Sequence, residues 1–150
     1  MLVIGITLIV MGIILYLVDK KSKTNTKYED MTLKQSMLIG TSQCLAAAFP
    51  GVSRSGITMT VARLLKIDRE SAAKFSFLLA TPIVSAAVLV DITKFAISLP
   101  FFLGIIASFL VGILVIKFLM DYLKKGSFKG FAIYRVILGL FIIGLCIIRL

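Results

Sequence analysis

The chain has 150 residues, of which 59% are hydrophobic, and carries a formal charge of +10 with a mean hydropathy of +1.06 and no histidine. That much apolar surface excludes a soluble domain of this length, so lipid is the solvent for most of the chain. The excess of Lys and Arg then reads as loops facing anionic headgroups rather than as a nucleic-acid interface, and the lack of His removes the commonest general base and metal ligand.

Residues 1–18 are apolar from the start and end in Asp19-Lys20-Lys21. Without a basic leading segment they read as a spanning helix, not a cleavable signal, about 27 Å long at 1.5 Å per residue. Residues 19–34 are polar and Lys-rich and read as a solvated loop. Residues 37–49 form an apolar run too short to cross comfortably, and Pro50-Gly51 stops it. A second short helical stretch, 53–65, follows. Two short arms around a turn predict a re-entrant helix hairpin over about 37–65, with its irregular tip covered by protein or a water-filled cavity. Spans follow at 72–90, with Pro82 expected to bend it, at 99–120, and at 131–148; a basic loop, 121–130, separates the last two. The predicted fold is all-α: a single polytopic membrane domain of four spans and one hairpin. Cys44 and Cys146 lie in apolar segments and read as small buried hydrophobes with no disulfide.

A re-entrant hairpin enters and leaves on one side. The loops at 19–36, 66–70 and 121–130 therefore share a face, which carries Lys20, Lys21, Lys23, Lys27, Lys34, Lys66, Arg69, Lys124, Lys125 and Lys129. The other face carries Lys94 and Arg149. The positive-inside rule puts the first face in the cytoplasm and both termini outside.

The tip, Pro50-Gly51-Val52-Ser53-Arg54-Ser55-Gly56-Ile57-Thr58, is the candidate site. A central Arg in a bilayer costs about 2.5–3.5 kcal/mol on insertion scales, and chains that keep one usually gain a binding or catalytic site. Arg54 offers a planar fork for two phosphate oxygens. Ser53, Ser55 and Thr58 add neutral donors, and Thr58 follows Arg54 by one helical turn. With Ser53 as cap, the first free N–H groups of the second arm point into the loop. Gly51 and Gly56 allow unusual dihedrals and close approach of a ligand. The competing reading is an Arg tied to carbonyls of neighbouring helices. Gln43 on the first arm suits either a ligand contact or an interhelical bond. Ser108-x-x-x-Gly112 and Gly139-x-x-x-x-Gly144 suit close helix packing, and Asp68-Arg69-Glu70 suits a helix start.

At this motif the chain resembles the undecaprenyl pyrophosphate phosphatases, the bacitracin-resistance family. The resemblance rests on Ile39-Gly40, Gln43, residues 50–56, Thr58, Asp68-Arg69-Glu70 and the run from Phe75 to Pro82. It implies two inverted repeats, of which this chain matches the C-terminal one, with the N-terminal repeat absent. The reaction implied is hydrolysis of undecaprenyl diphosphate to the monophosphate and phosphate in the bacterial cell membrane. Residue by residue, it makes Arg54 and Ser53 catalytic, with Ser53 a hydrogen-bond donor or, on one reading, the nucleophile. Arg54, Ser55, Thr58, Gly51 and Gln43 would bind the pyrophosphate. It also implies a divalent cation, Mg²⁺ or Ca²⁺, held by a Glu-rich motif and a His that nothing here matches: the Glu residues present, Glu29 and Glu70, read as loop residues. The implied partners are the polyprenyl diphosphate lipid, the membrane, and a missing N-terminal half or a second copy of the chain. A fragment, a truncated gene and a split gene each explain the sequence. Half of a transporter or flippase for an anionic lipid is the alternative, and a structural subunit with Arg54 as a tether is the third.

The orientation is testable: a cysteine replacing Lys23 should react with an impermeant reagent from the face opposite to one replacing Lys94, whereas labelling from one face would turn the hairpin into a full crossing.

Overall fold

The computed structural model describes every residue except 24, 25, 93–97, 149 and 150. Lys94 and Arg149, the two cations expected on the second face, lie outside the described residues.

Among the described residues seven helices follow one another: α1 (Leu2–Lys21), α2 (Leu33–Thr41), α3 (Gln43–Ala48), α4 (Arg54–Leu64), α5 (Arg69–Asp91), α6 (Leu99–Lys125) and α7 (Lys129–Ile148), with a 3-10 turn at Tyr28–Asp30. Four of them, α1, α5, α6 and α7, are long and apolar enough to cross a membrane. The chain is a multi-pass membrane protein. Between α1 and α5, two short arms, α2–α3 and α4, pack against each other as a helix hairpin around residues 49–53. Its first arm is broken at Ser42, where the hydroxyl donates to the Ile39 carbonyl instead of facing lipid. A Thr32–Gln35 capping box starts that arm, since the Thr32 Oγ1 accepts from Gln35 N at 3.3 Å and Gln35 Oε1 accepts from Thr32 N at 2.9 Å.

Small residues set the packing of α1 on α7. A Cβ on Gly5 would stand 3.0 Å from the Gly139 carbonyl, and one on Gly139 2.7 Å from the Gly5 carbonyl. The Gly139 reading of the sequence therefore holds. Gly112 and Gly144 have open space instead: among the described residues nothing stands within 4 Å of a Cβ placed there. Toward the other end of α1, Leu15, Met59, Ala73, Leu123 and Phe128 form one buried cluster. Ile39, Ala62, Ile67 and Ala72 form a second, which binds the first arm to α4 and α5. α6 packs on α5 and leaves most of its apolar surface exposed. Pro82 lies inside α5, which continues through it.

Charge fixes the base of the hairpin. Asp19, only 4% exposed, accepts from Arg63 Nε at 2.9 Å and Arg69 Nε at 2.8 Å through Oδ1, and from the Phe128 amide at 3.2 Å through Oδ2. Arg63, fully buried, also donates to the Ile67 carbonyl at 2.6 Å and the Ser22 carbonyl at 3.0 Å. Burial draws the Arg63 guanidinium below its usual range, and the Asp19 carboxylate opposes that shift. One carboxylate thus joins the end of α1, the end of α4, the start of α5 and the α6–α7 turn on one face of the protein. The loops that the charge pattern placed together do meet at this end.

Some boundaries move. Asp19 belongs to α1 and is buried, not the first residue of a solvated loop, because two guanidiniums and an amide replace its water. α6 runs on to Lys125, so the expected loop over 121–130 shrinks to a turn at residues 126–128. Glu29 lies in the 3-10 turn and Glu70 in the first turn of α5, with Asp68 as the cap accepting from Ser71 N at 2.9 Å. Cys44 is exposed and Cys146 half-exposed, both as free thiols. Cys44 and Leu45 on the outer face of α3 are exposed among the described residues, so an apolar neighbourhood in sequence is not a buried one there.

Replacing Asp19 by Ala leaves two guanidiniums facing each other without their counter-charge. The expected loss is about 3–5 kcal/mol, read as a lower unfolding temperature in detergent, with the Lys20→Ala control unchanged.

Candidate functional site

The loop at residues 49–53 closes the hairpin far from its base. Pro50 and Gly51 dock on the first turns of α1: the Thr7 hydroxyl donates to the Pro50 carbonyl at 2.8 Å. Thr7 precedes Asp19 by twelve residues, which sets the tip about 18 Å from the charged base along α1. Gly51 has φ +90°, and a Cβ there would stand 2.1 Å from Thr7 Oγ1 and 2.8 Å from the Ile4 carbonyl. Only glycine gives both that dihedral and that approach.

Ser53 caps α4, as the sequence suggests, with Oγ accepting from Gly56 N at 3.2 Å. Its Oγ also lies 3.2 Å from Ser55 Oγ. Arg54 is half-buried at the first helical position, and its guanidinium has no ion pair or hydrogen bond among the described residues. It is not a tether to neighbouring carbonyls. Thr58, 1% exposed, is turned inward: its hydroxyl approaches Ser76 Oγ of α5 at 2.8 Å and donates to the Arg54 carbonyl at 3.1 Å. Gln43 opens α3 and donates to the Gly40 carbonyl at 3.3 Å, a local bond across the break in the first arm. The structure therefore gathers Gly51, Ser53, Arg54, Ser55 and Gly56 at one tip. Thr58 stands behind them, and Gln43 bonds within its own arm.

One residue at this tip was passed over in the sequence. Arg135 of α7 is 2% exposed, and its Nη2 donates to the Gly51 carbonyl at 3.4 Å. Its Nε and Nη1 have no hydrogen-bond partner among the described residues. A Cβ on Gly56 would stand 2.0 Å from Nη1, so the guanidinium lies directly against the Gly56 backbone. A buried cation with unmade hydrogen bonds among the described residues, set against a helix start that carries two seryl hydroxyls, has the inventory of an anion site. The signal was available: an Arg inside a span is by default a functional-site candidate. Ser76, part of the Phe75–Pro82 run, supports Thr58 from α5.

The same tip lacks two things. No three His, Cys, Asp or Glu side chains among the described residues gather to hold a metal ion. The residues present do not fit a divalent-cation site. The buried carboxylate, Asp19, is about 18 Å away along α1 and saturated by its partners. No base among the described residues bonds Ser53, whose neighbours are Ser55 and an amide.

The chain matches the family model described as "Bacitracin resistance protein BacA" over residues 1–141. It is 46% identical over 151 aligned residues to a protein of Desulforudis audaxviator named "Undecaprenyl-diphosphatase", covering 99% of this chain and 58% of that one. Against a protein of the same name from Pelotomaculum thermopropionicum the identity is 47%, covering 99% and 57%. One from Moorella thermoacetica is 39% identical, covering 99% and 58%. The chain thus spans little more than half the length of these relatives.

The two glycines predict opposite outcomes. Gly51→Ala meets a backbone carbonyl that cannot yield and a dihedral it resists, and should lower stability by about 1–3 kcal/mol in a thermal melt. Gly56→Ala meets the end of a flexible side chain, gains helix propensity, and should leave the melt unchanged or raised while displacing Arg135.

Proposed function

Because this chain belongs to the bacitracin resistance protein BacA family, we propose that it carries the pyrophosphate-binding half of an undecaprenyl-diphosphatase. The reaction is hydrolysis of undecaprenyl diphosphate to undecaprenyl phosphate and phosphate, in the bacterial cell membrane. One observation carries the reading: two guanidiniums with no ion pair among the described residues, Arg54 and Arg135, come to a glycine-rich helix start from different helices.

Each residue then has a task. Arg54 holds two oxygens of the diphosphate through its fork, and Arg135 neutralises the same group from the α7 side. Phosphoryl transfer asks mostly for positioning and charge stabilisation, so clamps of this kind act on the transition state as well as on binding. Ser53 and Ser55 donate hydroxyl protons to the phosphate, and the start of α4 adds its dipole. Thr58 is a positioning residue, holding the first turn of α4 on Ser76. Gly51 and Gly56 keep the backbone close to the ligand, and Gln43 stiffens the break in the first arm. Ser53 serves better as donor than as nucleophile, since an alcohol without a base is a poor nucleophile at neutral pH.

The chemistry beyond binding comes from outside these residues. The divalent cation implied by the resemblance needs ligands that this chain does not supply, and so does the base that activates the attacking group. We propose that a further protein segment, with the share of the relatives' length that this chain does not match, supplies both. The chain alone then binds but does not turn over. The loop sits toward the end of α1 away from the lysines, so the diphosphate is met nearer the non-cytoplasmic face. The relatives' names favour this reading over transport.

The test is phosphate release from undecaprenyl diphosphate by the chain alone and by the chain joined to the unmatched segment of a relative. The joined protein should be active and the chain alone silent. In the joined protein Arg54→Lys and Arg135→Lys should each lower kcat/KM by about 10²–10³, with the fold retained. Full activity of Arg54→Ala would remove the site assignment, and turnover by the chain alone would remove the division of labour.

A further inference from the structure

At the base of the hairpin, away from the tip, an open cavity of about 570 Å³ lies between the C-terminal ends of α1 and α4. Ile14 and Leu17 of α1 and Leu64 of α4 form its apolar part. Lys21, Lys23 and Lys66 stand at its charged end, and no carboxylate lines it. Along α1 the lining runs from Ile14 to Lys21, a change from hydrocarbon to cation over about 10 Å. That gradient follows the chain of a lipid from acyl tail to headgroup. The three lysines are exposed and form no ion pair among the described residues. The nearby acid, Asp19, is already held by Arg63 and Arg69.

A second, independent observation concerns Lys66. It has φ +64°, the sole non-glycine residue with positive φ among the described residues. It occupies the left-handed position of a Schellman motif: its own amide donates to the Arg63 carbonyl at 3.0 Å, and the Ile67 amide to the Ala62 carbonyl at 3.1 Å. Glycine is the usual residue there, because it alone takes the dihedral without strain. A side chain kept at that position against the backbone's preference has a task. The task that fits its surroundings is to place a third cation beside Lys21 and Lys23.

We propose that this groove is a binding site for one anionic phospholipid of the cytoplasmic leaflet, with its phosphate among Lys21, Lys23 and Lys66 and an acyl chain along Ile14, Leu17 and Leu64. The occupant is a lipid rather than a protein segment because the lining pairs an apolar channel with a cationic mouth at membrane-surface depth, and cations near an anionic leaflet each favour its lipids. The site is separate from the diphosphate loop and does not rest on the proposed reaction.

The experiment uses the full chain in bilayers of phosphatidylcholine with a minor share of phosphatidylglycerol. Retained lipid is read by native mass spectrometry, and lipid preference by spin-labelled analogues of the two headgroups. The wild-type chain should keep one phosphatidylglycerol in preference to phosphatidylcholine. Lys66→Gly is the decisive variant, since it relieves the backbone rather than stressing it. It should unfold at a higher temperature in pure phosphatidylcholine and lose about fivefold in preference for phosphatidylglycerol. The combined Lys21→Gln, Lys23→Gln, Lys66→Gln variant should lose the retained lipid. Lys20→Gln with Lys27→Gln, which removes two exposed lysines of the same face outside the groove, should keep it. An equal loss in that control, or an unchanged preference in Lys66→Gly, would overturn the site and leave only a generally cationic surface.

Discussion

A single carboxylate, Asp19, holds together chain segments separated by more than a hundred residues. It joins two guanidiniums and a backbone amide at the point where α1, α4, α5 and the α6–α7 turn converge. In water such a cluster would add little. Under lipid, where each unpaired charge or amide is costly, it sets which helix ends stay together. The hairpin is therefore anchored at a charged base, and its tip lies at the far end of α4. The loop at its tip has its position fixed by this anchor and by the docking of Pro50 on Thr7.

The two arginine environments at the ends of the hairpin differ in kind. At the base Arg63 has the Asp19 carboxylate and the carbonyls of Ile67, Ser22 and Asp19 in reach, and it shares that carboxylate with Arg69. At the tip Arg135 is almost as deeply buried, yet two of its nitrogens have no partner among the described residues. The first arrangement stabilises the fold. The second keeps a positive charge that no described residue pairs, the property that the proposed anion site requires.

Much of this was legible in the residues. The four apolar segments, the short arms around Pro50-Gly51 and the cap at Ser53 follow from hydropathy, length and turn chemistry, and the structure places them where those rules point. What the sequence concealed were partnerships across the chain. Asp19 looks like the start of a loop because its partners stand 44 and 50 positions away. Arg135 looks like one polar residue in an apolar helix until α7 is seen to lie against the hairpin tip. Thr58 looks like a neighbour of Arg54 on one face, whereas Ser76 of α5 draws its hydroxyl inward. Cys44 looks buried because its neighbours in sequence are apolar, although the face it occupies is open. Local rules describe elements well and say little about which element comes next to which.

The contact between Gly56 and Arg135 ties two distant positions into one heritable unit. The guanidinium occupies the volume that any larger side chain at position 56 would fill. A lineage that lost the arginine would be released from the glycine, while one that kept the guanidinium seated against the loop would be confined to it, because a larger residue at 56 displaces the side chain without unfolding the helix. The place of the arginine, rather than the stability of the fold, therefore couples α7 to the loop, and the last span is as much part of the tip's sequence grammar as the loop itself.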